Sequence, residues 1–119
     1  MSVAQFHMER LQEDFLREIA WVIANRVRDP RVPAMVTVTE IRLAPDTRNA
    51  TVMVSVFGSD EEKKEALVGL NKAAPFIQKM VAERIVVKHF PKFYFKIDKT
   101  LDASIHLSDI LKEIKDDLV

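Results

Sequence analysis

At 119 residues, 48% apolar and 30% charged, the chain has the size and balance of one compact domain able to bury roughly two-thirds of its unfolded surface, with no room for a second. It has no cysteine, which excludes a disulfide, a thiolate metal site and a catalytic thiol, and which is compatible with a reducing cytoplasm. A formal net charge of zero argues at first against a polyanionic partner, because nucleic-acid modules ordinarily carry surplus Lys and Arg.

Residues 2–27 place Met8, Leu11, Phe15, Ile19, Val22 and Ile23 at spacings of three and four, with Leu16 beside them, which predicts one long amphipathic helix. Its longest apolar run, residues 19–24, is far short of the roughly 20 needed to span a membrane, and residues 1–9 lack a basic-then-apolar signal, so the chain reads as cytosolic. Pro30 and Pro33 end the helix. Residues 35–43 and 49–57 alternate with a period of two and are rich in Val, Thr and Ile. They predict two strands, joined through Pro45 and Asp46 as an antiparallel hairpin.

Ser59-Asp60-Glu61-Glu62 is a capping box and starts a helix at Asp60. The apolar side Ala66, Leu67, Leu70, Ala73 runs into Ala74-Pro75, where proline breaks or kinks it. Phe76, Ile77, Met80, Val81 and Ile85 then continue at helical spacing, giving helix, kink, helix. Residues 88–98 set Lys92, Tyr94 and Lys96 against Phe93, Phe95 and Ile97, a third strand with one wet and one buried face. Leu107, Leu111, Ile114 and Leu118 predict a last helix. Two hairpin strands, a helical crossover and a third strand imply an α+β fold, a small sheet with helices over one face.

Enzyme chemistry has little to stand on. His7, His89 and His106 lie far apart in sequence and match no metal-ligand spacing, the serines lack a nucleophile-elbow context, and Gly58 and Gly69 are the only glycines, too few for a phosphate loop. The acids Asp60, Glu61 and Glu62 suit a helix start, where negative charge is favoured.

Charge is unevenly spread. Residues 63–99 hold nine Lys or Arg against three acids, a surplus of six, while acids gather toward the chain ends. Such a field attracts phosphate if the cations converge on one side of the fold; the alternative is an ordinary solvated face. Two places stand out. A second helix starting at Pro75 would free amides near Lys72 and Lys79 to hold a phosphate, or the kink is only a bend set by core packing. On the first helix Arg10, Arg17 and Trp21 share a side, as a nucleic-acid clamp or with Trp21 as core beneath the last helix.

Taken in order, Arg10, the helix ending at Asp29-Pro30-Arg31, Val36-Thr37-Val38-Thr39, Asp46 with Ala50 beyond it, Val52-Met53-Val54-Ser55-Val56, Ala73-Ala74-Pro75-Phe76-Ile77 and residues 91–98 before a final helix resemble the ribosome-binding factor A family over nearly the whole chain. The resemblance implies a type II KH-like fold with a mixed three-stranded sheet, in which an Ala-x-Gly kink replaces the Gly-rich loop of ordinary KH domains. It also implies a monomeric, non-enzymatic factor without cofactor. Such a factor binds the free small ribosomal subunit and its ribosomal RNA, assists late RNA maturation including 5′-end processing, and supports growth in the cold. Three positions depart from the family pattern: Pro75 stands for the kink glycine, Gln78 for an arginine and Lys92 for an acid. Proline still enforces a break but removes one amide from any phosphate contact.

The expected RNA-binding residues are Arg10, Arg28, Arg31, Lys72, Lys79, Arg84, Lys88 and Lys92, with Ala73, Ala74 and Pro75 as the structural kink. Arg10 and Arg31 rest partly on the family pattern, the others on charge and placement. The competing reading is a KH-like module that docks on another protein and never touches RNA.

Overall fold

The structure is a computed structural model and describes residues 3–33 and 36–99, with side chains from residue 7 onward. The element order is α1 (Val3–Arg26), β1 (Val36–Leu43), β2 (Asn49–Val56), α2 (Asp60–Ala82) and β3 (Lys92–Ile97). The predicted last helix lies outside the described residues.

The hairpin forms as its alternation dictates, with Val36 opposite Val56 and Leu43 opposite Ala50. A bulge between Val38 and Glu40 leaves Thr39 without an opposite residue, and its hydroxyl donates to Asp98 Oδ2 at 2.6 Å. At the hairpin turn Asp46 Oδ1 accepts from the Arg48 amide at 2.9 Å, and Thr47 takes a left-handed φ of 58°. β3 then joins β2 in parallel, with Ala50 opposite Phe93 and Val52 opposite Phe95, so the sheet is mixed in the order β1-β2-β3. This strand starts at Lys92, four residues later than the alternation suggested, just after buried Pro91, which has no amide to give a ladder.

Both helices cover one face of the sheet, α1 over β1 and α2 over β3. Phe15, Ile19, Val22 and Ile23 from α1 meet Val52, Val54, Phe93 and Phe95 from the sheet and Leu70, Ile77 and Val81 from α2 in one cluster. Phe15, Phe90 and Phe93 pack edge-on or tilted with centroids 5.5–5.8 Å apart, closing one end of it.

The capping box at Ser59 is present in both directions: Ser59 Oγ accepts from the Glu62 amide at 3.1 Å, and Glu62 Oε1 accepts from the Ser59 amide at 3.2 Å. Beyond it, the helix–kink–helix of the sequence is one element. Helix α2 runs from Asp60 to Ala82 with Pro75 inside it, Ala74 buried and Ala73 half-buried. Pro75 removes only its own donor, so the Asn71 carbonyl loses its intrahelical partner, but no second helix N-terminus opens.

Candidate nucleic-acid interface

Helices α1 and α2 run in opposite directions. Gly69, in the first half of α2, lies under the connection that follows α1, while Arg84, just past α2, reaches Glu18 in α1. A Cβ at position 69 would stand 2.9 Å from Val32 Cγ2 and 3.3 Å from Arg31 Cβ, so the glycine lets the connection sit down on the helix. That connection is fastened by Asp29 and Arg31. Asp29 Oδ1 accepts from both the Arg31 amide and Nε at 2.9 Å, and Oδ2 accepts from the remaining arm of the guanidinium. The Arg31 side chain, then its amide, hold the Asp29 carboxyl down from 3.8 to about 2, with Lys72 adding its field. Arg31 and Lys72 thus meet at one junction, with Arg31 already engaged by an acid and Arg28 just before it in the chain.

The outward side of α2 carries Val68, Lys72, Phe76 and Lys79 at spacings of four, four and three, all exposed. Phe76, which the periodicity assigned to the core, is 45% exposed between the two lysines. Trp21 on α1 is 43% exposed. The Arg26 and Arg84 guanidiniums lie 5.4 and 5.8 Å from its ring centroid, and Arg84 Nε is 2.9 Å from Glu18 Oε2. A flat aromatic flanked by guanidiniums, next to a helix bearing Lys72, Phe76 and Lys79, offers both stacking area and phosphate partners.

Of the other expected cations, Arg10 is exposed on α1 among Glu9, Glu13 and Arg17, and Arg17 itself pairs with Asp14 at 2.6 Å. Lys88 lies in the connection before β3, where Leu11, Phe15 and Leu43 wall an apolar hollow. Lys92 is on the sheet, pointing away from both helices, because its neighbour Phe93 points into the core. The expectation that the cations converge on one side is therefore not met. Helical and strand periodicities say which side of an element faces out, but two layers have two opposite outsides. Of the two readings of Pro75, the continuous α2 favours a bend within one helix over a second helix start with free amides.

Sequence reasoning missed Arg26 and Phe76. Arg26 was recoverable from its place five residues after Trp21, near the end of the same helix; Phe76 carried no such signal, since its spacing fits the buried stripe. Among the described residues no three His, Asp or Glu gather to hold a metal, and no helix is long and apolar enough to cross a membrane.

The sequence and the fold are similar to those of known proteins. Residues 7–111 match the family profile of ribosome-binding factor A. A ribosome-binding factor A of Clostridium botulinum is 38% identical over 108 residues, 90% of this chain and 93% of that protein. The crystal structure of ribosome-binding factor A from Thermus thermophilus superposes with a TM-score of 0.67 at 27% identity, covering 75% of this chain and 92% of that one. Thermus thermophilus coordinates fitted into a cryo-electron microscopy map of a 30S complex superpose with a TM-score of 0.62 at 26% identity, covering 76% and 93%.

Proposed function

The chain belongs to the ribosome-binding factor A family, and from that premise we propose that it binds the free small ribosomal subunit through that subunit's RNA, using the helical layer of the fold. One observation carries the reading: Trp21 stands half-exposed with the Arg26 and Arg84 guanidiniums 5.4 and 5.8 Å from its ring centroid, on the helix packed beside α2, whose outward stripe is Lys72, Phe76 and Lys79. The contact is with phosphates and RNA shape rather than with a base sequence, and Arg10 on α1 and Arg28 just past its end extend it. In this reading the protein acts as a cytoplasmic monomer without enzymatic activity, assisting late maturation of the RNA, including its 5′ end, and sustaining growth in the cold. A homology model of the Thermus thermophilus relative, fitted into the cryo-electron microscopy map of its 30S complex, supports the choice of particle.

Co-sedimentation with purified small subunits tests this. Replacing Lys72, Lys79 and Arg84 together with glutamate abolishes it while the circular dichroism spectrum stays unchanged. Binding by the wild-type chain also falls steeply between low and moderate salt, as counterion release requires. Salt-insensitive binding that survives the triple replacement points instead to a protein-docking module.

A further inference from the structure

We propose that the face of the sheet opposite the two helices, open among the described residues, is a second binding surface and that its ligand is a stretch of single-stranded RNA. The placement comes from the register. On β3, Lys92, Tyr94 and Lys96 all point away from the core, with Tyr94 45% exposed and Phe93 and Phe95 buried on the other side. The two lysines stand about 13 Å apart along the strand with the phenol midway between them. Tyr94 is level with Thr51 on β2, and Thr51 with Arg42 on β1, so the ring and a guanidinium bracket a hydroxyl across the sheet. In the next row Lys96 is level with Met53.

Charge and shape choose the ligand. The acids on this face are engaged: Glu40 holds Arg42 through two contacts at 3.1 Å, and Asp98 accepts from the Thr39 hydroxyl. The ammonium groups of Lys92 and Lys96 are exposed. Tyr94 and Met53 alone offer too little apolar area for the core of a protein interface, whereas one exposed ring between two cations is what a base and its flanking phosphates use. A peptide strand is not offered the sheet edge either. The outward amides of β3 at Phe93 and Phe95 are taken by Gln78 Oε1 and Asn71 Oδ1, each at 3.0 Å, so a ligand at Tyr94 meets the face rather than the β3 edge.

The surface is separate from the helical layer but rests on the reading that the protein works on ribosomal RNA, and the test keeps the two apart. Fluorescence anisotropy of the full chain with a labelled single-stranded oligoribonucleotide, and co-sedimentation with small subunits, are measured side by side. Tyr94→Ala weakens oligonucleotide binding about tenfold, Tyr94→Phe restores it, and Lys92→Glu with Lys96→Glu flattens its salt dependence. Tyr94→Thr, which keeps a strand-forming residue, repeats the loss and guards against a folding artefact. If Tyr94→Ala and the double lysine variant bind the oligonucleotide as the wild type does, the sheet-face site is refuted, whatever co-sedimentation shows. Loss of subunit binding by Tyr94→Ala that ignores salt assigns the face to a protein partner and overturns the RNA assignment. If the wild type binds the oligonucleotide but not the subunit, the functional reading fails while the sheet-face site stands.

Discussion

Asn71 and Phe95 are joined twice. The Asn71 side-chain oxygen accepts from the Phe95 amide at 3.0 Å, and its nitrogen donates to the Phe95 carbonyl at 3.4 Å. An amide side chain on α2 thus imitates the strand that β3 lacks on its outer side. Gln78 Oε1 likewise accepts from the Phe93 amide at 3.0 Å, and on the opposite edge Gln12 of α1 accepts from the Leu43 amide at 2.9 Å. Each helix thus covers part of the sheet edge it lies above.

Asn71→Ala leaves the amide and carbonyl of Phe95 to solvent or unsatisfied and costs about 1–3 kcal/mol, read as a lower urea midpoint at unchanged slope. Asn71→Asp keeps the acceptor but sets a carboxylate against the Phe95 carbonyl, and is at least as damaging. Asn71→Ala combined with Gln78→Ala uncovers the edge and gives concentration-dependent association in sedimentation velocity.

Thr47 holds a φ of 58°, costly for a β-branched side chain. Thr47→Gly or Thr47→Asn relieves it and raises stability by about 1 kcal/mol in thermal melts.

Gly69→Ala reverses the usual rule for helix interiors. Alanine gains about 1 kcal/mol of intrinsic propensity, yet its Cβ would meet Val32 Cγ2 at 2.9 Å, a stiff branched side chain, as well as Arg31 and Asp29. The expected outcome is a lower melting temperature, and Gly69→Val falls further.

The Asp29 carboxyl is lowered in the folded chain, from 3.8 to about 2, chiefly by its bonds from Arg31. A depressed carboxyl contributes stability above its unfolded value and loses it as pH falls toward the folded one. The stability gap between the wild type and Asp29→Asn, measured by denaturant titration, is therefore constant above pH 5 and closes between pH 4 and about pH 2. A gap that widens on acidification would contradict the pairing.

Trp21→Ala removes a half-exposed ring and two cation–π contacts, costing about 1 kcal/mol in stability. Subunit co-sedimentation weakens about tenfold if the ring stacks on RNA. Trp21→Phe retains most of both.

Much of the fold is legible one element at a time. The stripe from Met8 to Ile23 predicts α1, Ser59 with Glu62 marks the start of α2 to the residue, and Lys92-Phe93-Tyr94-Phe95-Lys96 announces a strand with one wet face. Each signal lies within a dozen or so residues, because helix and strand repeats and caps are local geometry. Pro75 was legible as an irregularity, but its consequence was not. Whether a helix stops at an internal proline depends on packing on both sides of it, and Ala74 and Ile77 are buried against the same core as Leu70.

By itself the sequence determined, Phe76 apart, which side of each described element turns inward, and so the layered α+β architecture and its core. Only the tertiary structure decided the companionship of the outward residues: Arg84 beside Trp21, Lys72 beside Asp29, Phe76 left in solvent, Lys92 on the far side from Lys79. Periodicity measures angle about an element's own axis. How two such axes are turned toward each other is settled by long-range packing, which no local repeat encodes.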